Sequence, residues 1–215
     1  MITNKNNQNI SFKSNIKFIS PLKFRKYHDK GYYIGFLHNQ SNLIKGDNFY
    51  TEAIATCTGG GLVNPKNEAA GFHIWDDKVN LKNMHDILVK MFRVVKNPER
   101  ALLIGSKEMN GSPYSLSIFS KFKEAFLKRI PNVTLFEKHL YRRSATNFHY
   151  SVKDDTWLIS TLYIPEAEKL IVAPKHVKSL KTLREAFENI KIAKGDRLFV
   201  GNKEITPEIA PDLFG

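Results

Sequence analysis

A chain of 215 residues, of which 42% are hydrophobic and 25% charged, is long and apolar enough to form one domain with a sizeable core. A single cysteine excludes an intramolecular disulfide and a cysteine-rich zinc site, and no apolar run reaches the length of a membrane span. The net charge is +12, and residues 1–49 carry eight Lys and Arg against two acidic residues. Such a basic segment suits nucleic acid, anionic membrane or acidic protein, and it also serves simply as a solubilising surface.

The first part of the chain is predicted to be rich in β-structure, because β-branched and aromatic residues cluster in short runs there. The predicted strands are 16–19, 32–37, 54–63 and 71–75. The polar stretch 38–48 is expected to be a loop. A turn at 64–67, with Pro65 at its second position, makes the last two strands a hairpin.

The second part alternates helices with further strands. Apolar residues at helical spacing predict helices, which are 81–94, 115–130 and 180–190. Short apolar runs predict strands, which are 101–104, 133–136, 144–152, 156–163 and 170–172, before a β-rich tail with turns at Gly195 and Gly201. This order of β-rich, helical and again β-rich segments predicts the α+β class rather than repeated βαβ units.

The single cysteine, Cys57, lies beside a run of small residues. Thr58 is followed by three glycines, and glycines allow a substrate to approach the backbone closely. Backbone N–H groups next to a nucleophile are what an oxyanion hole requires. We therefore predict an oxyanion and substrate cleft whose members are Thr56, Thr58, Gly59 and Gly60. A β-bulge or a tight packing site explains the glycines equally well.

Two further residues are predicted to join the cysteine. His73 follows 16 residues later across the turn, so the hairpin brings its imidazole beside the sulfur, where it would stabilise the thiolate. Thr51 lies six residues before Cys57, and its hydroxyl would hold the second imidazole nitrogen. On spacing alone, a lone cysteine is more often a small buried side chain, and a lone histidine more often has a structural role.

Three short stretches together resemble a known family. They are Thr-Glu-Ala-Ile-Ala-Thr-Cys at 51–57, Leu-Val-Asn-Pro at 62–65 and Ala-Gly-Phe-His-Ile at 70–74. They resemble the CheD chemoreceptor glutamine deamidases, in which a Thr precedes the Cys by six residues and a later strand carries the His. The set of Cys, His and Thr is also similar to that of the cytotoxic necrotizing factor catalytic domain and of the Burkholderia lethal factor.

The resemblance extends over roughly residues 30–165 and includes the strand at 101–104, the helix at 115–130 and the hairpin of 144–163. Two departures stand out. Ala55 and Thr56 occupy the positions of the usual Gly-Ser before the cysteine, and Ser106 replaces the second glycine after the downstream strand. These departures favour an effector or toxin-like enzyme over a chemotaxis enzyme.

The resemblance implies a β-sandwich core flanked by helices, of the CheD and cytotoxic necrotizing factor type. It implies hydrolysis of a protein glutamine side chain to glutamate and ammonia, with Cys57 as nucleophile, His73 as acid and base, and Thr51 orienting His73. No cofactor and no metal are expected. The implied partner is a protein with an exposed glutamine, for an effector a host protein. We expect a catalytic domain at 31–175, a basic, partly mobile arm at 1–30 and a C-terminal extension of the same domain at 176–215.

The same sequence features are compatible with other functions. A CheD-type receptor deamidase is one alternative, and transglutaminase activity on the same thioester is another. A third is an inert basic module that binds RNA or an anionic membrane. We expect a monomer made in the bacterial cytoplasm without a Sec signal and exported, if at all, by a specialised secretion system.

Residues near the predicted site also have simpler interpretations. Asp76 and Asp77 follow the His73 strand and are predicted to lie in an exposed turn rather than to act as a carboxylate pair. Trp75 and Trp157 are predicted to be core residues, with a wall of the cleft as the alternative for one of them.

Overall fold

The computed structural model describes residues 15–27, 30–35, 43–106, 113–138, 144–163 and 195–210. The predicted strand at 170–172 and the predicted helix at 180–190 lie outside the described residues. The strands, in chain order, are β1 (Asn15–Phe18), β2 (Tyr32–Tyr33), β3 (Ile44–Lys45), β4 (Phe49–Ile54), β5 (Thr58–Val63), β6 (Glu68–Ile74), β7 (Arg100–Ser106), β8 (Thr134–Lys138), β9 (Ser144–Ser151), β10 (Thr156–Tyr163), β11 (Arg197–Val200) and β12 (Lys203–Ile205). The helices are α1 (Pro21–Phe24), which runs into a 3₁₀ turn at Arg25–Tyr27, α2 (Lys78–Lys82), α3 (Met84–Val94) and α4 (Pro113–Arg129).

The strands form two mixed sheets. Sheet A has the order β1-β10-β9-β4-β2, and sheet B has the order β12-β11-β8-β7-β5-β6-β3. The pairs β1–β10, β2–β4 and β7–β8 are parallel, and the other pairs are antiparallel. Two sheets with a few helices agree with the predicted α+β class.

The core has two halves, one on each face of sheet B. One half lies between the sheets, where aromatic side chains of sheet A, including Phe49 and Trp157, pack against Leu102 and Phe136 of sheet B. The other half lies between sheet B and the helices, where Phe72 stacks on Phe122 of α4 with ring centroids 4.8 Å apart. Sheet B is therefore the middle layer of three, and its inner strands, such as β5 and β8, are buried on both faces.

The hairpin predicted around residues 64–67 is confirmed by the pairing of β5 with β6. Its turn is closed by Asn64, whose side chain accepts from the backbone N–H groups of Lys66 and Glu68 at 2.9 and 3.0 Å. Asn67 adopts a positive φ of 59°, a conformation that Asn tolerates better than most residues. Because this turn is local in sequence, its prediction from sequence succeeds.

The structure corrects two predicted elements. The predicted helix at 81–94 is two helices, because Asn83 has non-helical dihedrals between α2 and α3 and Asp77 caps α2 at the backbone N–H of Asn80. The predicted loop at 38–48 contains β3 in its described part. Part of the predicted basic arm, residues 15–27, contributes β1 to sheet A, where Ile16 is buried.

Within the described residues, no helix combines the length and the apolar character that crossing a membrane requires.

Candidate active site

The chain crosses from sheet A to sheet B immediately before the cysteine. Strand β4 carries a bulge, seen as a shift of its register with β9 between Thr51 and Ile54. Within the bulge, Ala53 adopts a positive φ of 59°, and its N–H donates to Oδ1 of Asn147 at 2.7 Å. Residues 55–57 then connect the sheets, so Cys57 lies directly before β5.

Thr51 and His73 face each other across the gap between the sheets. The Thr51 hydroxyl oxygen is 2.9 Å from His73 Nδ1 and 2.5 Å from the carbonyl oxygen of Ile34. A carbonyl only accepts, so the hydroxyl proton points to Ile34 and the Thr51 oxygen accepts from His73. The hydrogen of neutral His73 is therefore on Nδ1, and Nε2 is its basic nitrogen.

The register of the hairpin places Cys57 near His73. Gly59 pairs directly with His73, and Thr58 pairs with Ile74. Cys57 lies two residues before Gly59 and packs against the core between the sheets, which is also the side of sheet B on which His73 meets Thr51. The structure thus brings the three predicted residues, Thr51, Cys57 and His73, to one end of the gap between the sheets.

The glycines act in packing, in contrast to the predicted oxyanion role of Gly59 and Gly60. Strand β5 is paired with β6 on one side and β7 on the other, so the N–H groups of both glycines point toward neighbouring strands. A side chain at Gly59 would overlap Ile54, and a Cβ at Gly61 would lie 2.7 Å from the Phe49 ring. The glycines therefore let sheet A approach sheet B closely enough for Thr51 to meet His73.

The other two predicted cleft residues have different environments. Thr58 is buried, and its hydroxyl has no hydrogen-bond partner among the described residues. Thr56 is half-buried, and its hydroxyl donates to Oδ1 of Asp76 at 2.8 Å. The Thr56 carbonyl accepts from the hydroxyl of Ser115 in the first turn of α4 at 2.5 Å. Thr56 is therefore fixed from two sides, and Thr58 is enclosed.

The electrostatics around Cys57 differ from the expectation of a thiolate at neutral pH. The side chain is half-buried, and burial raises the pKa of the thiol to about 11, helped by the nearby Asp76 carboxylate. The Lys138 charge and the backbone N–H groups of Asp76 and Cys57 act in the opposite direction and lower the thiol pKa. The resting cysteine is thus a thiol, and the predicted ionisation by His73 is wrong for this state.

His73 is held neutral. Burial lowers the pKa of the imidazole to about 4, and the positive charge of Lys138 lowers it further. The side chain is only 1% exposed. At neutral pH the imidazole is therefore a base with a lone pair on Nε2 and not a counter-ion of a thiolate.

The site also contains two charged residues that the sequence patterns do not predict. Asp76 is 8% exposed and binds Thr56, so the predicted exposed turn is wrong for this residue; Asp77 is half-buried and caps α2. Lys138, at the end of β8, is fully buried and donates to the carbonyl oxygens of Ile54 and Ala55. The position of Asp76 directly after the predicted strand of His73 could have indicated a role in the site. One lysine in a lysine-rich chain gives no such indication.

The two tryptophans also differ from each other. Trp157 is fully buried between the sheets, as predicted. Trp75 is 46% exposed, in contrast to the predicted core position, and it directly follows Ile74, which pairs with Thr58. Among the described residues, no group of three or more His, Cys, Asp and Glu side chains is arranged to hold a metal ion.

Comparison with known proteins returns no family model that matches the chain and no curated protein with a significant match.

Proposed function

We propose that this chain is a protein-glutamine deamidase that acts through a thioester on Cys57. The observation that carries the proposal is the 2.9 Å hydrogen bond between Thr51 and His73, with Cys57 directly before the strand that pairs with the strand of His73. A nucleophile, a base and a group that orients the base are the three parts that covalent hydrolysis of an amide requires.

The first step suits the resting protonation states of the site. As Cys57 Sγ attacks the carboxamide carbon, the thiol proton moves to Nε2 of neutral His73 and the carbonyl electrons move to oxygen. Thr51 keeps the Nδ1 hydrogen in place and so leaves Nε2 as the acceptor. The Cys57 and Asp76 backbone N–H groups favour the thiolate, so they assist the loss of the thiol proton as the sulfur attacks.

The remaining steps return the site to its starting state. The tetrahedral intermediate breaks its C–N bond, protonated His73 gives its proton to the nitrogen, and ammonia leaves a thioester on Cys57. Water then attacks the thioester carbon while His73 accepts a proton from it. The C–S bond breaks, the sulfur recovers a proton, and a glutamate side chain is released. An amine in place of water would give transglutamination through the same thioester.

The resemblance of residues 51–57 and 70–74 to CheD and to the deamidating toxins supports the reaction class and a CheD-like fold. The departures at Ala55 and Thr56 favour a bacterial effector that modifies a host protein over a receptor-modifying enzyme. The half-buried position of Cys57 fits a substrate side chain that reaches the sulfur from outside, as a glutamine on a protein surface does.

One observation favours a second function. The thiol pKa of about 11 is unusually high for a nucleophile, and it fits a module in which Cys57 is structural and the +12 charge binds RNA or an anionic membrane. Salt-sensitive retention of both wild-type and Cys57→Ser protein on an RNA or phosphatidylserine column is the expected behaviour of this module.

Mass spectrometry of treated cell extracts separates the two functions. Bacterial and animal-cell extracts are incubated with wild-type protein or with Cys57→Ser, and peptides are searched for glutamine converted to glutamate. We expect one or a few sites converted by the wild type alone. Conversion at equal rates with Cys57→Ser, or no conversion in any extract, would contradict the proposal.

A further inference from the structure

A buried lysine stands behind the connection that carries the nucleophile. Lys138 is 0% exposed, although lysine is among the residues least often found fully buried. Its ammonium donates to the carbonyl oxygen of Ile54 and, at 2.6 Å, to that of Ala55. These carbonyl groups belong to the residues three and two positions before Cys57, so Lys138 fixes the backbone that delivers the sulfur.

Four titratable groups surround this ammonium or the neighbouring sulfur. Asp196, which directly precedes β11, is 9% exposed and favours the protonated form of Lys138. Cys57 and Lys138 each favour the charged form of the other. Asp76 opposes the charge on Cys57, and the charge on Lys138 disfavours protonation of His73.

We propose that Lys138 is a positioning residue whose ammonium accompanies the Cys57 thiolate and holds the 54–57 connection in its reactive shape. This inference rests on the proposed function only in that it takes Cys57 as the nucleophile. In this arrangement Lys138 carries the positive charge of the site, and His73 is the neutral base.

Negative groups near Lys138 explain how a lysine is tolerated in a buried position. Burial lowers the pKa of Lys138 to about 7, so the charged form is costly unless negative groups are near. Asp196 and a thiolate on Cys57 are such groups. Because each of the two groups favours the charged form of the other, the thiolate of Cys57 forms most readily while Lys138 is protonated.

Alkylation of Cys57 by iodoacetamide tests the inference without any protein substrate. The rate is measured between pH 6 and 10 for wild type, Lys138→Met and Asp76→Asn. We expect Lys138→Met to lower the rate at pH 8 by about tenfold or more and Asp76→Asn to raise it. Lys123→Met is the matched control, because Lys123 pairs with Glu137 one residue away from Lys138, and its rate should equal that of wild type.

An unchanged pH profile in folded Lys138→Met protein would overturn the inference. If Lys138→Met fails to fold, Asp196→Asn decides, since it keeps the lysine but removes a group that favours its charge. A lower rate at pH 8 in Asp196→Asn supports the inference, and a wild-type profile overturns it. Failure to deamidate any protein would end the proposed function, yet would leave these alkylation profiles unaffected, so the two failures are distinguishable.

Discussion

The Thr51 hydroxyl accepts a hydrogen bond from His73 Nδ1 at 2.9 Å while donating its own proton to the Ile34 carbonyl at 2.5 Å. Thr51 belongs to sheet A and His73 to sheet B, so this contact joins the sheets as well as fixing the imidazole tautomer. Gly59 and Gly61 have no side chains, which allows the sheets to approach closely. This close approach allows Thr51 to bind Nδ1 of His73, and the bond leaves Nε2 as the basic nitrogen.

Replacing Thr51 tests its orienting role. Thr51→Val keeps the shape of the side chain but leaves the buried Nδ1 hydrogen without an acceptor, which costs about 1–3 kcal/mol. We expect deamidation by Thr51→Val to fall about tenfold or more, whereas Thr51→Ser retains most of the activity and His73→Ala loses about a hundredfold or more. Equal activities of Thr51→Val and Thr51→Ser, measured by ammonia release, would contradict an orienting role.

Nitrogen NMR measures the protonation state of His73. In protein labelled with ¹⁵N at histidine, we expect the hydrogen of His73 on Nδ1 and a titration near pH 4, because burial and Lys138 oppose the imidazolium. Titration near 6.5 or a hydrogen on Nε2 in the neutral form would contradict the assignment.

The lowered pKa of His73 predicts that the folded protein loses stability in acid. The unfolded chain binds a proton at the usual histidine pKa near 6.5, and the folded chain binds it only near 4. The contribution of His73 to stability is thus complete above pH 6.5 and falls by about 3 kcal/mol as the pH drops through 4. Urea unfolding at pH 7 and pH 4 measures the loss, which should be smaller in His73→Gln, whose side chain does not titrate.

The packing role of Gly59 is suited to a double-mutant cycle. Gly59→Ala places a methyl group against Cδ1 of Ile54, and we expect it to destabilise the protein by about 1–3 kcal/mol. Ile54→Val removes that Cδ1 at a cost of about 1 kcal/mol. The double variant should lose less free energy of unfolding than the two single variants lose together. If urea unfolding shows that the two losses simply add, this contact is contradicted.

Trp75 is expected to bind the substrate protein. It is 46% exposed and directly follows Ile74, which pairs with Thr58 next to Cys57, and exposed aromatic residues beside a site are frequent anchors of protein interfaces. Trp75→Ala should lower kcat/KM for the protein substrate about tenfold or more and leave iodoacetamide alkylation of Cys57 unchanged. Ile209→Ala is the control, because Ile209 is 45% exposed but follows β12, which three strands separate from β5 in sheet B. Equal losses in both variants would contradict a specific role of Trp75.

The part of the site that is local in sequence could be predicted, and the part that depends on distant residues could not. The hairpin of β5 and β6 follows from its strand patterns and from the Asn-Pro turn, so the approach of His73 to Cys57 was predictable. Lys138 lies on β8, which is separated from β5 by β7 in sheet B. No spacing in the sequence predicts this order of strands.

The role of the glycines also could not be predicted from the sequence. Their number beside the cysteine indicated a special backbone but did not distinguish an oxyanion hole from close packing of two sheets. Only the pairing of β5 on both edges decides this, because pairing directs the N–H groups of Gly59 and Gly60 to neighbouring strands. The raised thiol pKa likewise depends on burial and on Asp76 and Lys138, which are effects of tertiary structure.

Ammonia release from extract protein, followed alongside glutamate formation, tests the central claim most directly. With wild-type protein we expect ammonia and new glutamate side chains in equal amounts, and with Cys57→Ser or His73→Ala neither product above the rate without enzyme. Equal ammonia release by Cys57→Ser and wild type would show that the sulfur is not the nucleophile and would contradict the account.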